Sequence, residues 1–392
     1  MRFLVVMIIS CLSLLGCKET PQQVSENTLP LQVGAANYDA YIPALKGKRV
    51  GLVVNQTSEI NGQHLVDLLL DRGVKVSKIF APEHGFRGDH DAGAHVKSTV
   101  DAKTGIDVVS IYGSNKKPTP EVLADLDVII FDIQDVGVRF YTYISSMHYM
   151  MEAAAENDKS FIVLDRPNPN IAYVDGPILD PQFRSFVGMH EIPVLHGMTV
   201  AELAQMIKGE GWINNADKLN LTVVPVANYE RTMSYELPVK PSPNLPNAQS
   251  IQLYPSLCFF EATSITIGRG TDFPFQVVGY SPIKLGEFSF TPRAIEGASM
   301  NPKFKEIEVF GQDLRDADIH GLDLSLFISA YQKLTANNQE FFERAGFMDK
   351  LAGTDKLRLA IEAGQTEQQI KQSWQADLST FKRKRAPYLL YQ

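Results

Sequence analysis

Short, continuous apolar runs separated by helical patterns constrain this chain more than any other feature. Arg49–Asn55 (RVGLVVN), Val76–Pro82 (VSKIFAP), Val108–Tyr112, Val128–Ile133 and Phe161–Asp165 are rich in Val and Ile and mostly do not alternate with polar residues. A strand that is apolar on both sides has to be covered on both sides, which points to a parallel sheet with helices above and below. Helical patterns lie between the runs, at Gly62–Arg72, Pro120–Asp125, Ser145–Asn157 and Thr199–Gly209. The last opens with Thr199 and Glu202 at capping-box spacing. Strand–helix alternation of this kind predicts right-handed βαβ units and an α/β fold, a Rossmann-like, doubly wound, mostly parallel sheet. The first strand runs into NQTSEING, without a G-x-G-x-x-G turn, so the sheet carries no dinucleotide signal.

Lys240–Asn247 (KPSPNLPN) is rich in proline and reads as a boundary. Beyond it come an apolar segment, a Gly-rich loop, alternating patches such as Ile307–Phe310, and helices at Asp323–Leu334, Thr354–Ala363 and Thr366–Lys384. The expected division is 38–245 for the Rossmann-like domain and 246–392 for a smaller α/β domain that closes a cleft. A length of 392 residues with 44% hydrophobic residues allows both. The net charge of -8 argues against nucleic acid, which needs a concentrated basic surface. The basic run Lys382–Arg385 ends a helical pattern and complements its dipole.

At the N-terminus, Met1-Arg2 precedes an apolar stretch, Phe3–Leu15, too short for a bilayer span of roughly 20 residues. Leu14-Leu15-Gly16-Cys17 resembles the lipobox of bacterial lipoproteins. That resemblance implies a signal peptide over 1–17, lipidation of Cys17, and a polar tether over 18–37. Lys18 after the cysteine resembles lipoproteins sorted to the outer membrane, facing the periplasm. Cys258, alone in an apolar run, reads as a buried core residue.

Polar residues gather where strands end, the edge at which open α/β sheets bind ligands. The first run releases Asn55 and Gln56. The second releases Glu83, His84 and Arg87 within a loop punctuated by Gly85, Gly88 and Gly93. The fourth gives Asp132, Gln134, Asp135 and Arg139, and the fifth Asp165, Arg166 and Asn168. His196 stands at a turn before a helix. Glu83 follows a buried strand directly, a position suited to a general acid; its alternative is an ion pair to Arg87 or Arg139 that ties the loop down. His84, Asp89, His90, Asp91 and His95 crowd one loop, but their spacing fits no H-E-x-x-H helix, and no metal is assigned. In the second half, Arg269 between two glycines suits bidentate capture of a carboxylate.

The stretches VNQTS, APEHGFRG, FDIQDVGVRFYTY, LDRPNP, HGMT, PSPNLPN and YPSLCFFEATSITIGRGTDFPF together resemble the exo-β-N-acetylmuramidase family. The resemblance implies removal of terminal N-acetylmuramic acid (MurNAc) from the non-reducing ends of peptidoglycan fragments, without a cofactor, in a cleft between two domains. It puts the catalytic glutamate at Glu83, with Asp132 or Asp135 as partner, and brings Tyr141 and Thr271 into the substrate-binding set. Asp165 and the substrate's own N-acetyl group are further candidates for the second catalytic group. MurNAc differs from N-acetylglucosamine (GlcNAc) by a lactyl ether bearing a carboxylate. Arg139, Arg166 and Arg269 are the candidate cations for it, Arg269 foremost. The implied partners are a saccharide and a membrane lipid, with no protein partner evident. The competing classes are a non-catalytic anchored sugar- or muropeptide-binding lipoprotein and a metal-dependent hydrolase.

Overall fold

The computed structural model describes residues 29–83, 85, 86 and 99–392. Cys17, the expected signal segment, most of the expected tether, His84, Arg87 and the remainder of the His-rich loop lie outside them. Leu31–Gln392 form one compact unit. Its centre is a seven-stranded sheet of β1 (Arg49–Val54), β2 (Lys75–Ala81), β3 (Thr99–Val100), β4 (Asp107–Ser110), β5 (Val128–Asp132), β6 (Ser160–Leu164) and β7 (Leu221–Val224). The order is β3-β4-β2-β1-β5-β6-β7, parallel throughout except for β3 against β4. The chain winds outward from β1 in one direction and then, through β5, in the other. That is the doubly wound arrangement the apolar runs predict, and its switch point lies between β1 and β5. Every residue of β5 is buried, as a strand covered on both faces requires.

Helices α1 (Leu65–Asp71), α2 (Tyr143–Glu156) and α3 (Val200–Gly209) occupy the expected positions, and the Thr199–Glu202 capping box is formed. The edge strand β7 was not expected; its residues are only partly covered and give a weak pattern. Nor was α4 (Ala248–Leu257), because Pro255 sits inside it and proline removes the hydrogen bond to the carbonyl four residues back. That carbonyl, of Ile251, accepts instead from Asn170 Nδ2 at 3.4 Å. A second sheet, β8 (Val277–Tyr280), β9 (Phe288–Phe290) and β10 (Val309–Asp313), is antiparallel in the order β8-β10-β9. Helices α5 (Ser325–Ala336), α6 (Ala345–Ala352) and α7 (Lys356–Glu362) follow. The last expected helix is two, α8 (Glu367–Ser373) and α9 (Gln375–Arg385), broken at Trp374. The indole of Trp374 is buried and donates to Asp175 Oδ1 at 2.9 Å.

One buried cation ties α6 to the first half of the chain. Arg139 is fully buried, and its Nη1 donates to the carbonyls of Pro177 (2.8 Å) and Ile192 (2.7 Å). Its Nη2 donates to Leu351 (3.0 Å) and Ala352 (2.6 Å), the last carbonyls of α6, where the helix dipole is negative. Gly353, at φ +73°, makes room: a Cβ there would lie 2.7 Å from Nη2. Burial pulls the Arg139 guanidinium below its usual pKa, and carbonyl dipoles rather than a carboxylate hold it. Replacing Arg139 with Met leaves the carbonyls of Pro177, Leu351 and Ala352 without this donor, each costing about 1–3 kcal/mol, while that of Ile192 keeps the Leu179 amide. Urea unfolding of Arg139→Met is expected to show a loss of at least about 3 kcal/mol; a loss below about 1 kcal/mol contradicts this role.

Candidate active site

A cleft of about 750 Å³ opens beyond the end of β2. Glu83 lies on its wall just past that strand, and both carboxylate oxygens are held by hydroxyls. Tyr112 Oη donates to Oε1 at 3.0 Å, and Thr142 Oγ1 donates to Oε2 at 3.0 Å. Tyr143 Oη donates to the Glu83 carbonyl at 3.4 Å. Thr142 is the residue from which α2 starts, and Tyr112 follows β4, so three successive parts of the sheet layer converge on one carboxyl. Burial first, and then the neighbouring Glu83 charge, push the Tyr112 phenol well above its ordinary pKa, so it remains a protonated donor. Hydroxyls can accept as well as donate. Glu83 therefore keeps its partners whether or not it carries a proton, as an acid/base group must.

Aromatic rings form the adjoining wall. Phe140, Tyr141, Tyr143 and Tyr254 line the cleft, with Tyr141 and Tyr143 edge-to-face at 5.0 Å. Tyr141 Oη donates to the carbonyl of Pro241 at 2.6 Å, fixing the proline-rich segment whose Ser242 and Asn244 also face the cleft. The opposite wall comes from the second half of the chain: Glu261, Arg269, Phe275, Arg344 and Phe347. Arg269 Nε donates to Glu261 Oε1 at 2.6 Å, and its guanidinium stands 5.1 Å from the Phe275 ring centre. Arg269 reaches the cleft as expected, but its charge is already met. Cys258 is buried, and burial pushes its thiol far above the ordinary range.

Of the other expected site residues that are described, only Tyr141 lines this cleft; the remaining described ones are bonded within the scaffold. Asp132, proposed as a catalytic partner, is fully buried and forms a bidentate pair with Arg166, at 2.6 and 2.9 Å. In this structure each is the other's partner, and neither lines the cleft. Asp135 is buried as well; its Oδ2 accepts from the amide of Gly137 at 2.7 Å and lies 3.6 Å from His196 Nε2. His196 is fully buried and accepts from the Met198 amide through Nδ1. Asn55 is buried with Oδ1 accepting from the amide and hydroxyl of Thr57, whose Oγ1 takes the Gln134 amide. The Gln134 side chain donates to the carbonyls of Asp135 and Pro167, and Gln56 to those of Lys240 and Pro241. Asn168 donates to Met198 and accepts from Asn170. Gly137, at φ +78°, presses against it so closely that a Cβ would lie 2.2 Å from Asn168 Oδ1. Thr271 closes its own turn by donating to Gly268 at 2.6 Å. Arg139 is the buried clamp described above.

Asp165 is likewise internal. Its carboxyl accepts from the Thr199 hydroxyl (2.7 Å), the Ala201 amide (3.0 Å) and the Tyr391 hydroxyl (2.5 Å). Burial raises its pKa to about 7, against the pull of these donors. The residues that sequence reasoning missed are Tyr112, Glu261 and Arg344, together with the roles of Thr142 and Tyr143 at Glu83. Thr142 and Tyr143 lie inside the FDIQDVGVRFYTY stretch, but their hydroxyls carry no separate signal there. Glu261 sits in the YPSLCFFEATSITIGRGTDFPF stretch, and its pairing with Arg269 across a turn leaves no trace in spacing.

Two family descriptions cover nearly all of the chain from residue 50 onward. Residues 50–249 match "Exo-beta-N-acetylmuramidase NamZ, N-terminal", and residues 252–391 match its C-terminal counterpart. The chain belongs to this family. A peptidoglycan beta-N-acetylmuramidase NamZ of Bacillus subtilis (strain 168) is 40% identical over 375 residues, covering 90% of this chain and 89% of that protein. Two crystal structures of DUF1343 family proteins from Bacteroides fragilis NCTC 9343 share the fold. One is 42% identical with a TM-score of 0.84, covering 93% of this chain and 99% of its own. The other is 30% identical with a TM-score of 0.80, covering 92% and 99%.

The raised Asp165 pKa has a sign that can be checked. Between roughly pH 4 and pH 7 the native state holds a proton that the unfolded chain has released, so stability is fullest at the acid end and falls as pH rises through about 7. In Asp165→Asn the amide keeps an acceptor for Ala201 and offers donors to hydroxyls that can turn. Urea unfolding is expected to show the decline over that window in the wild type and a flatter profile in Asp165→Asn. Parallel profiles refute the assignment.

Proposed function

We propose that this chain is an exo-acting glycoside hydrolase that releases terminal MurNAc from the non-reducing ends of peptidoglycan fragments, with Glu83 as its general acid/base. The observation that carries the assignment to Glu83 is a carboxyl on the wall of an aromatic-lined cleft, each oxygen held by a neutral hydroxyl. Membership of the muramidase family supports the substrate. Aromatic rings present flat apolar faces to the C–H faces of a pyranose, while the hydroxyls fix the direction in which Glu83 can hand over a proton. A sugar alkoxide leaves poorly, so protonation of the glycosidic oxygen is the step Glu83 would supply. With Asp132, Asp135 and Asp165 committed elsewhere, Glu261 among the described residues and the substrate's own acetamide are the candidates for the second group. The Glu261–Arg269 pair favours the acetamide, because Glu261 would have to leave its cation to act.

The lipobox-like Cys17 supports export and anchoring of the enzyme to a membrane by acyl chains, on the periplasmic face of the outer membrane. No helix among the described residues is long and apolar enough to cross a bilayer.

Hydrolysis of MurNAc-GlcNAc tests the assignment. Glu83→Gln is expected to lose on the order of 10²–10⁴-fold in kcat with its melting temperature near that of the wild type. Undiminished turnover in that variant removes Glu83 from the chemistry, and binding without turnover in the wild type makes the protein a sugar-binding lipoprotein. Tyr112→Phe is expected to lower kcat by about tenfold while KM changes little, since it removes a group that orients the acid rather than one that holds the sugar.

A further inference from the structure

We propose that Arg344 is the residue that reads the carboxylate of the substrate's lactyl ether, an inference that rests on the hydrolase reading above for its substrate. What separates MurNAc from GlcNAc is one anionic group, so selection requires a cation in the cleft whose charge is not already spent. Among the described residues lining the cleft, the cations are Arg269 and Arg344. Arg269 is bound to Glu261 at 2.6 Å, and that couple is neutral as a unit. Arg344 forms no ion pair with any described carboxylate. Its guanidinium lies 4.2 Å from the ring centre of Phe347, another residue of the cleft wall. A guanidinium lying on an aromatic face still has N–H groups along its edge, in the fork geometry that matches a carboxylate.

The backbone that carries it is fixed. The Arg344 amide donates to the carbonyl of Ala262 at 3.0 Å, and its own carbonyl accepts from Phe347 (2.8 Å) and Met348 (3.0 Å), so it is the residue from which α6 starts. The positive end of the α6 dipole lies at the same place and adds to the attraction for an anion. Glu83 and Arg344 thus mark two walls of one cleft, the first facing the bond to be cut and the second the substituent that identifies the sugar.

The test is calorimetric binding of three ligands: MurNAc, its neutral lactyl amide, and GlcNAc. The amide keeps the bulk of the lactyl group and removes only its charge. Wild-type protein is expected to prefer the acid to the amide by about tenfold to a hundredfold, the range for a hydrogen-bonded charge pair. Arg344→Gln is expected to erase that preference with an unchanged melting temperature, and Arg344→Lys to keep part of it. An equal preference in Arg344→Gln and the wild type, or no preference in the wild type, overturns the proposal. Turnover of MurNAc-GlcNAc by the wild type is measured separately. Its absence ends the hydrolase reading, while the binding comparison still decides the role of Arg344.

Discussion

The geometry of the cleft depends on a guanidinium that never meets the substrate. Arg139 is enclosed among four backbone carbonyls, two of them at the end of α6. The other end of that helix brings Arg344 and Phe347 to the cleft. Arg139 comes from the stretch that also carries Tyr141, Thr142 and Tyr143, so a single segment shapes both walls: one through its own hydroxyls and rings, the other through a clamp on a helix more than two hundred residues later in the chain. A buried cation without a carboxylate partner is costly unless dipoles surround it. Here the dipoles are those of the elements it joins, so the cost of burial and the fixing of the wall are parts of one arrangement.

Among the described residues, the groups that hold the Glu83 carboxyl are the neutral hydroxyls of Tyr112 and Thr142, which fix its orientation. The other charged residues of the described lining, Glu261, Arg269 and Arg344, come from the second half of the chain. The buried ion pair of Asp132 with Arg166 joins the ends of two neighbouring strands, β5 and β6.

The sheet was legible because its strands are covered on both faces, and continuous Val and Ile runs have few other uses. Two of the elements missed have an interrupted pattern, β7 by partial exposure and α4 by Pro255; β3, β8, β9 and α6 are short and were not expected either. Glu83 was legible for a similar reason, being the first polar residue after a buried run and a proline. What the sequence does not encode locally is which strand-end residue turns outward. Asp132 and Glu83 both end apolar strands, yet Asp132 meets Arg166 from the neighbouring strand end, whereas Glu83 meets hydroxyls in a groove. Arginines misled in the same way. Arg139 and Arg166 are satisfied inside and Arg269 by Glu261, which leaves Arg344, in plain FFERAGF, as the cation without an ion pair among the described residues of the cleft.

The proline-rich segment read as a boundary lies just before the junction of the two family matches, yet the two domains pack as one unit. Gln56 and Tyr141 both bind its backbone, and one continuous hydrophobic core runs from Val53 in β1 through Ile251 in α4 to Phe381 in α9. Elements of the two halves share that core, so they stand or melt together. The groove is accordingly closer to a cast vessel than to a hinged jaw. Its selectivity is set when the chain folds, and a half-length fragment would inherit neither the vessel nor the stability of the whole.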